Sequence, residues 1–350
     1  MTAIWDLPDF DAHESVHMFD DPDSGLRAVI AVHSTHLGPA AGGTRFWHYA
    51  DSGAAITDAL RLSRGMSYKN AMAGLPLGGG KGVVLAPAHR RKTPEMLHAF
   101  GRAIESLGGR YVTAEDVGMS DADMVEISAE TRHVAGLPVA DSAAAGGDPG
   151  PFTARGVYLG IKAAARYRLG ANTMAGIHVA VQGIGSVGGG VARLLAADGA
   201  KLTIADIDAA KAQALADETG AQLADLNTIM TLKADIFSPN ALGAVLNRDS
   251  IDALNVSIVA GGANNQMATA GDAQRLFDRG IIYAPDYVIN AGGIINVGLE
   301  YLGNATAQDV HDRIDIIPQR LTAIWDESKA DKLPAAIVAD RMAQRLIGRG

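Results

Sequence analysis

The sequence contains no cysteine, which excludes disulfide bridges, thiolate catalysis and cysteine-ligated zinc. It also has no excess of basic residues: the net charge is -9, and no stripe of Lys and Arg is present to bind a phosphate backbone. No apolar run approaches the ~18 residues of a membrane span, and the start MTAIWDLPDFDAHES lacks the basic and apolar regions of a secretory signal. These absences predict a cytoplasmic protein with neither nucleic-acid nor membrane partners.

The remaining composition is that of an ordinary globular protein. Hydrophobic residues make up 48% of the 350 residues and charged residues 20%, a balance that is ample for buried cores. At roughly 150 residues per domain, the length predicts two domains.

The amino-terminal part carries both strand-like and helical patterns. Two strand-like runs flank a Pro-Asp-Ser-Gly turn at residues 22–25, which predicts a β-hairpin. Apolar residues at helical spacing predict a helix over 54–72, and a β-branched run predicts a strand over 81–87. A Thr-Pro pair then opens a predicted helix over 93–108.

A change in composition divides the chain at residues 138–151. Small residues, prolines and glycines predominate in PVADSAAAGGDPGP, as expected of a hinge between domains. Beyond this hinge, strand-like and helical runs alternate to about residue 297, which is the pattern of a parallel α/β sheet. The sequence therefore predicts an α/β protein.

The stretch VAVQGIGSVGG matches a dinucleotide-binding turn. Gly183, Gly185 and Gly188 form G-x-G-x-x-G between an apolar strand and a helix, with Ser186 and Val187 before the last glycine. The first glycine makes the turn, the second admits a pyrophosphate, and the third lets helix and strand pack closely. The amino terminus of the helix then faces the pyrophosphate with its partial positive charge.

Asp206 strengthens this match and selects the cofactor. It ends the next strand, KLTIAD, 18 residues after Gly188, near the ~20-residue spacing of an acid that binds the ribose. Because a carboxylate there repels a 2′-phosphate, the predicted cofactor is NAD rather than NADP. The alternative is a glycine-rich turn in an unrelated α/β domain.

Residues 13–17, HESVH, match the zinc-protease signature H-E-x-x-H. That chemistry requires a helix, on which histidines at i and i+4 share one face and bind one metal. This stretch instead runs into the predicted hairpin, and a strand would separate His13 from His17 by roughly 13 Å at ~3.3 Å per residue. We interpret both histidines as exposed strand residues and predict no metal site, with a zinc protease kept as an alternative.

The stretch AMAGLPLGGGKG, residues 71–82, suggests a phosphate cradle but fails its pattern. The nucleotide loop G-x-x-x-x-G-K-[ST] requires glycine where Leu75 stands and a hydroxyl where Gly82 stands. What remains is Lys81 in a backbone that glycines allow, because glycine reaches positive φ and permits close approach of another group. Such a rigid mount suits a catalytic amine.

Lys69 lies twelve residues before Lys81, at the end of the predicted helix. Two lysines brought near each other lower one another's pKa by repulsion, and burial adds to this effect. A neutral amine near pH 7 can act as a base. The loop TAEDVG adds the carboxylates Glu115 and Asp116 to the candidate constellation. Whether the two lysines meet is left open by the sequence.

Five further motifs are spread along the whole chain: LGPAAGGTR (37–45), YKNAMAGLPLGGGKG (68–82), TAEDVG (113–118), AGGANNQ (260–266) and YAPDYVINAGGIINV (283–297). Together they resemble the glutamate/leucine/phenylalanine/valine dehydrogenases, with the leucine and phenylalanine dehydrogenases as the most similar branch. Their order and number make chance agreement a poor explanation.

The resemblance implies an amino-terminal α/β substrate domain and a Rossmann-type, doubly wound NAD-binding domain, with the active-site cleft between them. The implied substrate domain covers residues 1–140 and is completed by a carboxy-terminal helix at 331–350. The implied NAD-binding domain covers residues 150–330. The family also implies a homo-oligomer.

The resemblance further implies roles for individual residues. Lys81 is the general base, Asp116 carries protons to and from the amino group, and Lys69 binds the substrate carboxylate. The other implied substrate-side residues are Ala41, Gly42, Gly43, Ala114, Asn264, Ile294 and Val297. The implied nicotinamide-side residues are Thr153, Asn265 and Asn290.

The implied reaction is the reversible, NAD-dependent oxidative deamination of an apolar L-amino acid to a 2-oxo acid, ammonium and NADH. The implied pocket residues are apolar, so glutamate is predicted to be a poor substrate. Ala41, smaller than the Leu common in leucine-type relatives, favours phenylalanine, whereas Ile294, larger than the Val or Ala of relatives, acts against it. The predicted substrate is phenylalanine, with leucine close behind. A catalytically silent NAD-binding regulator is a further alternative, although the two lysines and Asp116 argue against it.

Overall fold

The structure is a computed structural model that describes residues 3–88, 91–138, 144–303 and 305–350. The chain forms two compact units. The first unit comprises Met1–Gly147, Ile294–Asp309 and Ala343–Gly350, and the second comprises Asp148–Gly293 and Val310–Met342.

These bounds differ from the predicted domains at the carboxy-terminal end. Residues 331–342, most of the carboxy-terminal helix that was predicted to complete the substrate domain, belong to the second unit. Residues 294–309, predicted as part of the NAD-binding domain, belong to the first unit. Arg349 shows why the chain end belongs to the first unit, since its guanidinium donates to the carbonyl oxygens of Asp11 and His33. Part of the predicted hinge, 139–143, lies outside the described residues.

The first unit alternates strands and helices. In chain order its elements are a 3-10 turn (Ile4–Asp6), β1 (Ser15–Asp21), β2 (Leu26–Ser34), β3 (Ala40–Ala41), β4 (Thr44–Trp47), α1 (Ser52–Met72), β5 (Gly78–Leu85), α2 (Pro94–Glu105), β6 (Tyr111–Val112) and α3 (Asp121–Ser128). The predicted hairpin is confirmed, because β1 and β2 pair antiparallel. The predicted helices at 54–72 and 93–108 correspond to α1 and α2.

The sheet of the first unit has the order β1-β2-β5-β3-β6, with β4 also paired to β5. Helix α1 packs on one face, where Ala55 and Ala59 join Val29 and Val83 in a buried cluster. Helices α2 and α3 cover the other face through a larger buried cluster that includes Phe100. Strand β5 therefore lies in the middle of a sheet covered on both sides.

The second unit has the alternating pattern predicted from the sequence. The remaining elements are α4 (Gly150–Leu169), β7 (His178–Gln182), α5 (Ser186–Ala197), β8 (Lys201–Ala205), α6 (Ala209–Thr219), β9 (Gln222–Leu223), β10 (Ile236–Pro239), α7 (Arg248–Ala253), β11 (Ile258–Val259), α8 (Gly271–Asp278), β12 (Ile282–Tyr283), α9 (Asp286–Ile289), α10 (Gly292–Leu302), α11 (Ala307–Ile314), α12 (Ile317–Asp331) and α13 (Ala335–Leu346). The boundary between the units passes through α10, α11 and α13.

All paired strands of the second sheet are parallel, in the order β12-β11-β10-β7-β8-β9. The order runs outward from β7 in both directions, which is the doubly wound arrangement. The predicted α/β fold class is confirmed. Across the described residues, every helix is too short or too polar to cross a membrane.

Candidate active site

Strand β5 fixes the position of Lys81. Side chains alternate between the two faces of a strand, so Lys81 shares a face with Val83, which packs in the cluster under α1. Lys81 lies opposite Ala31 of β2 in the antiparallel register. Its side chain is only 6% exposed. The lysine is therefore held in the interior of the first unit, beneath α1.

The glycines around Lys81 are needed because neighbouring segments approach the backbone closely, and not because the backbone adopts a special conformation. A Cβ at position 79 would meet the backbone of Ser67 on α1, and one at position 80 would meet the ring of Tyr111. A Cβ at position 82 would meet the hydroxyl of Thr44. Within the described stretch 78–82 no residue has positive φ, so that part of the sequence interpretation was wrong. The run belongs to β5, which begins at Gly78 rather than at the predicted residue 81.

Lys81 forms an ion pair with Asp116. Its Nζ lies 2.7 Å from Oδ2 of Asp116, and Nε of Arg45 lies 3.0 Å from the same oxygen. Burial lowers the pKa of Lys81 below its ordinary value, against the opposing effect of Asp116, and Arg45 adds to the lowering. Burial opposes the charged form of Asp116, but Lys81 and Arg45 outweigh it and hold the pKa of that carboxyl below its usual value.

This electrostatic arrangement changes one sequence-based expectation. Burial is the largest cause of the lowered pKa of Lys81, and the cation that contributes is Arg45, whereas the sequence suggested repulsion from Lys69. Lys69 lies in the last turn of α1 and is partly buried.

The adjacent carboxylates of the TAEDVG loop have different environments. Asp116 contacts Lys81, whereas Glu115 interacts with Asp121. Partial burial, together with the hydrogen bond and charge of Asp121, raises the pKa of Glu115 to about 7. The structure thus selects Asp116, rather than its neighbour, as the partner of the buried lysine.

Gly42 and Gly43 connect β3 to β4 beside Lys81. A Cβ on Gly42 would meet the carbonyl oxygen of Gly80, and one on Gly43 would meet the carbonyl oxygen of Glu115. The hydroxyl of Tyr111 donates to the carbonyl oxygen of Gly42 at 2.7 Å. The two glycines are therefore required where three backbone segments converge around Lys81 and Asp116.

Asn70 follows Lys69 and joins two strands. Its Nδ2 donates to the carbonyl oxygens of Ala41 and Gly78, which ties β3 to β5. In the described part of the chain its buried Oδ1 has no hydrogen-bond partner. This amide fixes the end of α1, and with it the backbone of Lys69, against the two strands.

The four residues that are predicted to contact the substrate side chain all lie in the first unit. Ala41 is buried in β3 between β5 and β6, and Ala114 follows β6 with partial exposure. Ile294 and Val297 are one helical turn apart on α10 and are partly buried. That these four residues line one substrate pocket stays a prediction.

The second unit contains the dinucleotide turn at the carboxyl end of β7. Gly183 has a φ of 85° and Gly185 is the N-cap of α5, which begins at Ser186. A Cβ on Gly188 would meet the carbonyl oxygen of Gly183, whereas one on Gly185 would meet nothing within 4 Å. The third glycine thus permits close packing, and the second leaves open space before the helix amino terminus. This is the geometry that a pyrophosphate requires, so the turn fits a dinucleotide.

Asp206 is fixed at the end of the neighbouring strand. Its Oδ2 accepts a hydrogen bond from the backbone N–H of Ile184 at 2.7 Å, and its Oδ1 accepts one from Asp208 at 2.9 Å. Burial acts to raise the pKa of Asp206, but the backbone donors outweigh it and the pKa is lowered. The group is a carboxylate at neutral pH, oriented by the dinucleotide turn itself.

The remaining predicted nicotinamide-side residues also lie in the second unit. Asn290 donates through Nδ2 to Oδ1 of Asn264 at 2.8 Å, and its own buried Oδ1 has no partner among the described residues. Asn265 has a φ of 50°, uncommon for a residue with a side chain. Thr153 donates to the carbonyl oxygen of Pro149. An unpartnered buried amide oxygen beside Asn264 suits a ligand that donates hydrogen bonds.

The H-E-x-x-H stretch does not form a helix. His13 precedes β1 and is buried, with Nε2 3.0 Å from the carbonyl oxygen of Leu60 and from the hydroxyl of Ser63. His17 lies in β1 and contacts Ser15. The expectation of an exposed strand residue was therefore wrong for His13, which instead joins the amino-terminal segment to α1. The helical geometry of the zinc motif is not formed.

Comparisons with known proteins cover nearly the whole chain. The model of the "Glu/Leu/Phe/Val dehydrogenase, dimerisation domain" matches residues 13–133, and that of the "Glutamate/Leucine/Phenylalanine/Valine dehydrogenase" matches 150–344. The leucine dehydrogenase of Bacillus subtilis (strain 168) is 44% identical over 337 residues, 96% of this chain and 92% of that protein. The valine dehydrogenase of Streptomyces coelicolor is 43% identical, over 95% of this chain and 92% of that protein. The chain belongs to the glutamate/leucine/phenylalanine/valine dehydrogenases.

The fold agrees with this family assignment. The crystal structure of L-tryptophan dehydrogenase from Nostoc punctiforme matches with a TM-score of 0.87 at 40% identity, covering 96% of each chain. The resemblance inferred from the sequence motifs is thus confirmed, and the chain is an amino acid dehydrogenase by family. NAD is the cofactor of this family, in agreement with the prediction from Asp206.

Sequence reasoning missed three residues that surround the candidate site of this dehydrogenase. Arg45 contacts Asp116, Asp58 contacts Arg45, and Tyr111 holds the carbonyl of Gly42. Arg45 does end the motif LGPAAGGTR, but its partner Asp116 is 71 residues away. No local pattern connects them, because their contact depends on the pairing of β4 with β5.

Proposed function

We propose that this chain is an NAD-dependent dehydrogenase of apolar L-amino acids, which it converts reversibly to the 2-oxo acid and ammonium. The observation that carries the proposal is the ion pair between the buried Lys81 and the half-buried Asp116, whose nitrogen and oxygen atoms are 2.7 Å apart. A buried amine with a lowered pKa is suited to accept a proton near neutral pH. The adjacent carboxylate provides the second proton-transfer group.

The second unit would hold the cofactor. Asp206 would bind the ribose hydroxyls, and the turn 183–188 would bind the pyrophosphate. Thr153, Asn265 and Asn290 would contact the nicotinamide side. When bound, NAD supplies the acceptor for the hydride that leaves Cα of the amino acid.

The residues of the first unit would perform the proton transfers. Lys69 would bind the substrate carboxylate. Lys81 would take a proton from the water that attacks the substrate iminium carbon, and Asp116 would give a proton to the departing amino group. Gly42 and Gly43 would admit the substrate backbone, because neither adds a side chain where these segments converge. Asn264 would also bind the substrate.

Apolar residues support an apolar substrate. None of Ala41, Ala114, Ile294 and Val297 could pair with a second carboxylate, so bound glutamate would carry an unpaired buried charge. The small side chain of Ala41 leaves room for an aromatic ring, which favours phenylalanine, with leucine close behind. The relatives named leucine, valine and tryptophan dehydrogenase are consistent with apolar substrates of several sizes.

An assay of NADH formation across L-amino acids at alkaline pH tests this function. We expect turnover with phenylalanine and leucine and little with glutamate, because the proposed pocket lacks a partner for a distal charge. Tight NADH binding without turnover of any amino acid would favour a silent NAD-binding regulator. Peptidase activity that depends on stoichiometric zinc would favour the H-E-x-x-H alternative.

The variant Ala41→Leu tests whether Ala41 limits the size of the substrate side chain. The added side chain should lower kcat/KM for phenylalanine relative to leucine, by a factor of about 10 to 200, the range for small apolar size differences of ~1–3 kcal/mol. Wild type and variant are compared in the same assay. A rise in the phenylalanine-to-leucine ratio would show that Ala41 does not limit side-chain size.

Asp206→Asn tests the choice of cofactor. The amide keeps an oxygen for the N–H of Ile184 but removes the charge that would repel a 2′-phosphate. We expect wild type to use NAD, and the variant to raise kcat/KM for NADP relative to NAD by about tenfold or more, since like charges in contact cost several kcal/mol. Asp208→Asn is the matched control, because it removes a nearby negative charge while keeping a side-chain oxygen that can accept from the N–H of Lys211 and cap α6. Equal use of NAD and NADP by wild type would refute the prediction.

We also propose that the enzyme is a homo-oligomer that acts on small molecules. The match of residues 13–133 to a model described as a dimerisation domain supports this. Light scattering on the purified protein measures it, and a monomeric mass across the working concentration range would contradict it. The cytoplasmic location stays a prediction.

A further inference from the structure

Two cations converge on one oxygen of Asp116. Lys81 Nζ lies 2.7 Å and Arg45 Nε lies 3.0 Å from Oδ2. As a base, Lys81 alternates between a neutral and a charged amine, and the two forms do not attract the carboxylate of Asp116 equally strongly. Arginine remains charged throughout, and although burial acts to lower the pKa of Arg45, Asp116 and Asp58 raise it above its ordinary value. Arg45 is therefore a permanent partner of Asp116, whichever proton state Lys81 adopts.

Arg45 is itself held from the other side. Its Nη1 donates to Oδ2 of Asp58 at 2.9 Å, and the side chain of Asp58 is only 10% exposed. The same carboxylate accepts hydrogen bonds from the hydroxyl of Tyr49 at 2.7 Å and from Arg61 at 2.9 Å. A carboxylate with three donors is fixed in position, so Asp58 on α1 fixes the guanidinium that β4 presents to Asp116.

We propose that Arg45, held by Asp58, is a positioning residue that keeps the carboxylate of Asp116 directed at Lys81. This role rests on the proposed dehydrogenase activity and deepens it. Arg45 thereby connects α1, β4 and the loop after β6 at the point where protons are transferred. A misplacement of about 1 Å at such a point can cost about 100-fold in rate.

Arg61 provides a control that distinguishes the positioning of Asp116 from a general stabilisation of the fold. It also pairs with Asp58, through Oδ1, but the carboxylate that it contacts is Asp58 and not Asp116. Arg45→Gln and Arg61→Gln therefore remove the same charge and the same kind of contact to Asp58. Arg45→Gln additionally removes the contact to Asp116. A difference between the two variants thus reports on Asp116.

The experiment measures kcat, KM, NADH affinity, melting temperature and the pH dependence of deamination in both variants. In the described part of the chain, Arg45, Asp58 and Tyr111 are titratable or charged groups that interact with the Lys81–Asp116 pair. We expect Arg45→Gln to lower kcat by about tenfold or more, with NADH affinity unchanged. Arg45 adds to the lowering of the pKa of Lys81 that burial causes, so its loss should raise that pKa and move the ascending limb of kcat to higher pH. Arg61→Gln should leave kcat within about threefold, because the Arg61 guanidinium is about half exposed, where an ion pair contributes little, and Asp58 keeps its contacts with Arg45 and Tyr49.

Arg45→Lys keeps the proposal testable if Arg45→Gln fails to fold. Lysine retains the charge but cannot reach two carboxylates with a planar fork, so kcat should fall while the ascending limb stays near its wild-type pH. A folded Arg45→Gln or Arg45→Lys with the kcat and pH profile of Arg61→Gln would overturn the positioning role alone. Absence of turnover in wild type would overturn the proposed function, and this role with it.

Discussion

Replacing Lys81 with alanine is expected to reduce kcat by about 100- to 10,000-fold, the contribution of a positioned general base. Lys81 is the amine that contacts Asp116, and its side chain is nearly inaccessible to solvent, so bulk buffer should substitute poorly for it. The dissociation constant for NADH should stay within about twofold. Lys81 belongs to the first unit, whereas the dinucleotide turn and Asp206 belong to the second.

The fold should survive this substitution, because Asp116 keeps its ion pair with Arg45. Lys81→Met removes the amine while conserving most of the volume, which guards against loss of activity through a cavity. Lys92→Ala is the matched control: Lys92 is another lysine of the first unit paired with a carboxylate, Asp123. Stopped-flow and steady-state NADH absorbance measure turnover, and quenching of protein fluorescence measures NADH binding. If Lys81→Ala retained a tenth of wild-type kcat, its role as the base would be wrong.

Asp116→Asn should be nearly as severe, with a loss of about 100-fold or more in kcat. The amide preserves the shape of the side chain but cannot carry a proton to the departing amino group. Its effect on pH dependence has a definite sign. Asp116 raises the pKa of Lys81, so its neutralisation should lower that pKa and move the ascending limb of the residual activity to lower pH. This is opposite to the shift expected for Arg45→Gln.

Glu115→Gln is the control for this substitution. Glu115 is the adjacent carboxylate, but it interacts with Asp121 and not with Lys81. Its pKa of about 7 lies within the working range, so the substitution also tests whether a neighbouring titration contributes to the profile. We expect kcat within about threefold of wild type. Equal losses in Glu115→Gln and Asp116→Asn would assign the effect to loop stability rather than to proton transfer.

Local patterns in the sequence were sufficient to predict the dinucleotide turn and the acidic residue that follows it. The turn from Gly183 to Gly188 and the acid at Asp206 lie within one strand–helix–strand unit, where spacing along the chain sets spacing in space. The hairpin around residues 22–25 and the helix α1 were predicted for the same reason. Turn-forming residues and helical periodicity are signals that extend over only a few residues, so they can be recognised in the sequence directly.

The family motifs selected Lys81 and Asp116 as catalytic candidates before any contact between them was visible. Lys81 and Asp116 were assigned by their place in YKNAMAGLPLGGGKG and TAEDVG, and the structure then placed their side chains 2.7 Å apart. The sequence also identified the glycines around Lys81, but with an incomplete physical reason. They are required by the proximity of α1 and Tyr111, neither of which a linear pattern can reveal.

Tertiary structure alone decided which charges surround that pair. Arg45 is 71 residues from Asp116 and reaches it only because β4 pairs in parallel with β5 and carries Arg45 to the face beneath α1. Asp58 reaches Arg45 only because α1 packs on that same face. Such contacts depend on strand register and on the side of a sheet that a helix covers. The sequence by itself determined the fold class, the dinucleotide turn and the identity of the catalytic candidates, and long-range packing determined the electrostatic environment in which they act.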